Sequence, residues 1–485
     1  MKWLLIKRIL IAFVLVTSVF GLSYFNYLSA NNGYEGLTRL ANNRKQKTDY
    51  KNLFDNTLYK SITIVFEEEV FSDLITSMET YFAQYGTYQD NTLHKVDIIY
   101  QDGQGNTFTV HEVGFRTKSN TSRNLPRVLD WRGREVYYQT SFQLQFNETF
   151  DYDQRSNEYG VLKSREVFNL DQLNFEYSKQ IDAQPDVAMI SEAFSYHLYQ
   201  KAGVVVSNVS YGIVYLKIGD TLVNYGFYNF IEPIDNNFLS KHFDANVIGD
   251  YGDLFKCTDI IGPADLSIHH EGLIGININA TNERYSYTLK NHRQNGLRTD
   301  FSILTNFIDN INDTDYFLRN ANRIIDIDAF IRAIAMGFLI GNTDDYRHNF
   351  NNYYLYFEVY TKRAYYIPFD LDNVLGFGKH QDVSGDFGVQ YPLIGINEMA
   401  VLVNQIFQSD LYREQYLNYL DDFVQNIFDY EIFLSEYMMA KNLYQSVLVN
   451  ENHLGNQVFG LRNIEWYFTE KNASVTSQLE FYLQK

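Results

Sequence analysis

Between Gly341 and Asn373 the chain concentrates side chains from which a phosphoryl-transfer centre could be built. The run Gly341-Asn342-Thr343-Asp344-Asp345-Tyr346-Arg347-His348-Asn349-Phe350 crowds polar groups between apolar stretches, and Ile367-Pro368-Phe369-Asp370-Leu371-Asp372-Asn373 follows. Asp344 and Asn349 stand in an Asp-x-x-x-x-Asn spacing, in which the carboxylate orients an acceptor hydroxyl and the amide holds a metal. A carboxylate after the next hairpin, Asp370 or Asp372, would complete the oxygen ligands that Mg²⁺ takes beside substrate phosphates. Such chemistry asks little of a protein beyond positioning and charge neutralisation. Asp and Asn side chains also close turns, so the spacing alone leaves a purely structural loop open.

The elements that must hold these residues are readable around them. Asp326 is a plausible N-cap for a helix in which Ile327, Phe330, Ile331, Ile334, Phe338 and Leu339 recur at helical spacing up to Gly341. Residues 353–357 and 364–367 read as a hairpin, and helices are expected from about 397 to the C-terminus. Upstream the pattern is β-rich. Residues 62–66 form one strand, and 95–100 with 107–115 flank the turn Asp102-Gly103-Gln104-Gly105. Alternation of Phe142, Leu144 and Phe146 predicts a strand over 141–146. A helix is expected over 186–201, closed by Gly203, and then paired strands over 204–216 and 222–231. The expected class is α+β, with a β-rich N-terminal half and a helix-rich C-terminal half. Its divisions would be 1–30 as an anchor or signal peptide, 31–55 as a linker, 56–240 as the first lobe and 241–485 as the second.

Lys+Arg 40 against Asp+Glu 59 gives a formal charge of -19 over 485 residues. That balance argues against a nucleic-acid partner, which needs clustered Lys and Arg. A nucleotide remains compatible where a divalent cation neutralises its phosphates, and Mg²⁺ is the expected one. The single cysteine, Cys257, excludes an internal disulfide and any multi-cysteine zinc site. Lys2, Lys7 and Arg8 precede an uncharged stretch over 9–28, about the 20 residues needed to cross a bilayer as a helix. The expectation is a single-pass membrane anchor with the remaining chain extracytoplasmic. A cleaved signal peptide ending near Leu28-Ser29-Ala30 is the alternative.

Several ordered motifs resemble the spore-coat-protein-H kinase-like family. His348-Asn349, Tyr354-Leu355-Tyr356, Pro368-Phe369-Asp370-Leu371-Asp372 and Gly376 are similar to its Asp…His-Asn…Leu-Tyr and Pro-Trp-Asp-x-Asp…Gly signature, with Phe369 in place of the usual Trp. Gly226-Phe227-Tyr228 with Ile231-Glu232-Pro233-Ile234-Asp235, and Leu254-Phe255-Lys256, resemble two further segments. Gly114-Phe115-Arg116-Thr117-Lys118-Ser119-Asn120-Thr121-Ser122 resembles a third, and the similarity runs over about residues 60–400.

The resemblance implies a two-lobed, atypical protein-kinase-like fold that binds ATP with Mg²⁺ (or Mn²⁺) and phosphorylates a protein acceptor. By it Asp344 is the catalytic residue, Asn349 a metal ligand, and Asp370 or Asp372 the second ligand. Departures touch the nucleotide side. Tyr138-Gln139-Thr140 stands where family members often carry lysines, Ser119 replaces a glycine, and Ser191 an arginine. Arg116, Lys118 and Lys256 are the substitute cations, Glu192 a helix glutamate that could pair with one of them, and Glu232 either a nucleotide-site or a turn residue. Asp386-Phe387-Gly388 and His269-His270 read as loop sequence. A non-catalytic surface, coat-assembly or adhesion protein that keeps the fold is the competing expectation.

Overall fold

The computed structural model describes residues 39–119, 123–177, 189–243, 251–268, 272–276, 284–291, 301–376, 400–448, 459–461 and 463–483. In chain order the first elements are α1 (Arg39–Leu53), β1 (Lys60–Phe66), α2 (Glu68–Tyr85), β2 (His94–Asp102), β3 (Thr107–Thr117), β4 (Arg127–Leu129), β5 (Glu135–Tyr137), β6 (Phe142–Gln145), α3 (Asn157–Lys163) and β7 (Gln172–Tyr177). Then come α4 (Ser191–Lys201), β8 (Val209–Ile218), β9 (Thr221–Ile231), α5 (Asn236–His242), β10 (Asp253–Cys257), β11 (Ile274–Gly275) and β12 (Tyr287–Leu289). The remainder is α6 (Ser302–Asn312), α7 (Thr314–Ile324), α8 (Ile327–Leu339), β13 (Tyr353–Phe357), β14 (Ala364–Pro368), α9 (Val401–Gln408), α10 (Asp410–Asn426), α11 (Tyr430–Tyr444) and α12 (Ile464–Tyr482). The α+β class expected from sequence holds, with strands dominating the first half and helices the second.

Two compact units are interleaved along the chain. The first comprises residues 1–177, 210–231 and 443–457, and the second 178–209, 232–442 and 458–485. In the first unit seven strands close a barrel in the order β1-β2-β3-β6-β7-β9-β8. The β2–β3 hairpin forms where the Asp102-Gly103-Gln104-Gly105 turn predicts it: Asp102 Oδ1 accepts from the Gln104 and Asn106 amides at 2.9 and 3.1 Å. Closure comes from β1 and β8, which pair in parallel with Ile62 opposite Val214. Inward-facing aromatics fill the barrel, among them Phe142, stacked on Phe175 at 4.4 Å between ring centroids. Tyr444, from the end of α11, belongs to this unit: its hydroxyl accepts from the Lys60 amide at 3.0 Å and reaches the carbonyls of Leu58 and Tyr211 at 3.1 Å.

Residues expected as linker instead form α1. Its mean hydropathy is low, and apart from Leu53 at its end its fully buried side chains are polar. Gln46 donates to the Glu166 carbonyl at 2.5 Å and accepts from the Asn169 amide at 2.7 Å, while buried Asp49 pairs with Lys45 at 2.8 Å. Apolar spacing gives no sign of such a helix. Among the described residues no helix is long and apolar enough to cross a membrane. The 9–28 stretch lies outside those residues, as do Asp386-Phe387-Gly388 and His269-His270.

The second unit is built on a five-stranded sheet, β11-β12-β10-β13-β14. Register sets Leu254 opposite Tyr356 and Lys256 opposite Tyr354, so the Leu254-Phe255-Lys256 and Tyr354-Leu355-Tyr356 segments are neighbours. Helix α8 begins where the sequence predicts, with Asp326 accepting from the Ala329 amide at 3.3 Å. It is apolar almost all round and buried accordingly, packing along α10 and against β14. Gly341, at φ +65°, turns the chain out of it into the polar loop.

Candidate functional site

Local hydrogen bonds organise the loop after α8 around Asp344. The Asp344 amide donates to Asn342 Oδ1 at 3.0 Å, its carbonyl accepts from Asn352 Nδ2 at 2.9 Å, and its Oδ1 accepts from Asn349 Nδ2 at 2.8 Å. Because Asn349 spends its NH₂ on Asp344, its carbonyl oxygen is the end that can face a cation. The two residues predicted to share the chemistry are therefore in contact.

Beneath them lies a buried ion pair. Arg347 Nε donates to Asp345 Oδ2 at 2.7 Å, with the side chains 1% and 7% exposed. Arg347 Nη2 also donates to the Asn342 carbonyl at 2.7 Å, and the Asp345 carbonyl accepts from the Asn349 amide at 3.0 Å. Burial pushes the Asp345 carboxyl above its usual range, and the Arg347 charge opposes that rise without cancelling it. Gly337 on α8 makes room for the pair. A Cβ there would stand 3.0 Å from the Tyr199 hydroxyl and 3.1 Å from Asp345 Oδ2.

The β13–β14 hairpin carries the chain to Asp370. Asn352 joins its two ends, since its side chain holds the Asp344 carbonyl while its own carbonyl accepts from the Phe369 amide at 3.1 Å. Asp370 has φ +58°, a left-handed conformation that Asp tolerates better than most residues. Its carboxylate and that of Glu192, in the first turn of α4, offer oxygens within 4.8 Å of one another. Asp372 instead has an oxygen hydrogen-bonded to the neighbouring Asn373 amide group. A hard divalent cation takes oxygen ligands, and the neighbouring carboxylates of Glu192 and Asp370 are such donors, so these two residues fit one. Of the two alternatives left by the sequence, Asp370 is the one whose carboxylate lies beside that of Glu192.

The basic candidates divide. Lys256 on β10 lies over the Phe369 ring at 4.7 Å, next in sequence to Asp370. Phe369 thus serves as a cation–π partner where the family's Trp would stand. Arg116 and Lys118 lie in the barrel unit: Arg116 donates to Gln143 Oε1 at 2.8 Å and Asn91 Oδ1 at 3.0 Å, and Lys118 pairs with Glu176 at 3.0 Å. Glu232, the residue after β9 in the chain, is fully buried. It accepts from the Asn208 side chain at 2.9 Å and contacts His242 at 3.1 Å and Lys241 at 3.6 Å, which makes it a brace for the turn into α5. Asn352, Gly337, Arg347 and Asp259 are the members that spacing did not reveal. The Asp259 amide donates to Asn351 Oδ1 at 3.3 Å, and partial loss of hydration, then the nearby Asp344 charge, push its carboxyl up.

The family described as CotH kinase protein matches residues 134–465. The chain belongs to the CotH kinase family. The matched span contains Asp344, Asn349 and Asp370, together with Glu192, Glu232 and Lys256. The Gly114–Ser122 segment, with Arg116 and Lys118, precedes it. No curated protein matches the sequence. For a CotH kinase family member the departures at Tyr138-Gln139-Thr140 and Ser191 fall inside the matched residues, on the side expected to meet nucleotide.

Proposed function

We propose that this CotH family member transfers the γ-phosphoryl group of ATP to Ser/Thr hydroxyls of a protein acceptor, using Mg²⁺ or Mn²⁺. The observation that carries this reading is the Asn349 Nδ2 to Asp344 Oδ1 bond of 2.8 Å. It holds the carboxylate in place and turns the Asn349 carbonyl toward cation duty. Asp344 would orient the acceptor hydroxyl and take up its proton as the oxygen–phosphorus bond forms. Glu192, Asn349 and Asp370 would hold the divalent cation, which when bound neutralises phosphate charge. Lys256, held over the Phe369 ring, would place a positive charge near the phosphates. Export, with the catalytic unit outside the cytoplasm, is part of the same proposal and rests on the sequence pattern of residues 2–28.

The test is incubation of the purified full chain with γ-labelled ATP and Mg²⁺ or Mn²⁺, read as self-labelling and as labelling of added protein. Asp344→Ala is expected to slow labelling by about 10²- to 10⁴-fold while ATP binding persists. Wild-type labelling by Asp344→Ala would assign this loop a structural role and leave the non-catalytic surface protein as the better account.

A further inference from the structure

Helix α4 holds Asp370 by a contact that neither the motifs nor the proposed chemistry assigns. Tyr196 follows Glu192 by four residues, so the two side chains share one face of the helix. Tyr196 is fully buried, and its hydroxyl accepts a hydrogen bond from the Asp370 amide at 3.0 Å. The bond fixes the peptide plane between Phe369 and Asp370, and φ +58° sets the direction in which the Asp370 Cβ leaves that plane. For a residue with a Cβ the left-handed conformation is unfavourable by roughly 1–2 kcal/mol, and something must hold it against relaxation to negative φ. Relaxation would swing Cβ, and the carboxylate with it, to a different side of the backbone. The Tyr196 hydroxyl anchors the peptide plane about which that swing would occur. Phe369, one residue earlier, is fixed through its own amide to the Asn352 carbonyl at 3.1 Å. The strained residue is thus clamped on consecutive peptide units.

We propose that Tyr196 is a positioning residue for the divalent-cation site: by accepting from the Asp370 amide it fixes the peptide plane from which the Asp370 carboxylate is presented beside that of Glu192. Helix α4 then serves the cation twice, supplying one ligand and orienting the other. The inference rests on Asp370 being a metal ligand, and the experiment separates the two claims.

Tyr196→Phe removes one oxygen and keeps the ring. Mn²⁺ binding to the full chain is measured by electron paramagnetic resonance in the presence of a non-hydrolysable ATP analogue, beside wild type and Asp370→Asn, with thermal unfolding of each. Tyr196→Phe is expected to weaken Mn²⁺ binding by about 10-fold, in the range seen when groups behind metal ligands are removed. Transfer by this variant should recover most of its rate at saturating Mn²⁺. Asp370→Asn should weaken Mn²⁺ binding at least as much and not recover. Unchanged Mn²⁺ affinity in Tyr196→Phe beside a weakened Asp370→Asn overturns the positioning role and leaves Asp370 a ligand. The positioning role fails in the same way if Tyr196→Phe only lowers the melting temperature. Unchanged affinity in both variants removes Asp370 from the metal site, and the proposal falls with it.

Discussion

The buried Asp345–Arg347 pair predicts an asymmetry between two conservative substitutions. Asp345→Asn leaves a guanidinium buried in a 1%-exposed position beside a neutral group, and Arg cannot shed its proton to escape. Breaking a buried pair in this way costs about 3–5 kcal/mol. Arg347→Met leaves a carboxyl that burial already pushes upward, so it can protonate and become a neutral donor. Its expected cost is about 1–3 kcal/mol at neutral pH, the usual penalty of an incompletely satisfied buried group. The wild-type pair carries part of that penalty itself, because Arg347 Nη1 is buried without a hydrogen-bond partner among the described residues. The pH dependence separates the variants further. In Arg347→Met the folded-state pKa of Asp345 lies above its unfolded value, so the deficit is smallest below the unfolded pKa and grows as pH rises through the folded one. In Asp345→Asn neither remaining group titrates in that window, and the deficit stays flat. Urea unfolding followed by Trp466 emission, from pH 4 to 8, measures both. Equal costs, an Arg347→Met deficit independent of pH, or a double variant whose cost equals the sum of the singles would refute the account of a coupled buried pair.

Gly337→Ala places a methyl 3.0–3.1 Å from the Tyr199 hydroxyl and Asp345 Oδ2. The crowding should outweigh the gain of about 1 kcal/mol in helix propensity, so the variant should unfold at lower urea than wild type; a stabilised variant would show that the pair has slack. In the barrel unit, Lys60 is fully buried with Nζ donating to the Asp55 carbonyl at 2.6 Å, and burial lowers its pKa to about 7. The unfolded chain therefore binds the extra proton between about pH 7 and 10.5, and stability should rise by about 2–3 kcal/mol from pH 7 to 9. Unfolding curves of Lys60→Met should lack that rise; an identical rise in the variant would assign it to another group.

Local rules carried the sequence a long way. The Asp102–Gly105 turn, the Asp326 cap, the 353–367 hairpin and the Asp344/Asn349 spacing were all readable, because each depends on residues within a few positions of one another. What escaped depends on distant partners. Helix α1 is held by Gln46 bonding to backbone more than a hundred residues away, and no amphipathic pattern announces it. Barrel closure pairs β1 with β8 across about 150 residues, and strand propensity does not encode that partner. Asn352 and Tyr196 act through the backbone of Asp344, Phe369 and Asp370. Such side chain-to-main chain contacts leave no spacing to find, and Tyr196 reads simply as an aromatic core position.

Tyr444 also constrains how the molecule is made. The hydroxyl that receives the Lys60 amide arrives 384 residues later in the chain. At about 5–20 residues per second, a ribosome needs on the order of 20 to 80 s to synthesise that interval. Throughout it the start of β1 waits for its tyrosine, and the Tyr211 carbonyl waits over the last 233 residues of the interval. Strand β1 is consequently completed by a residue from far along the chain, a high-contact-order closure that should make this docking a slow step of folding.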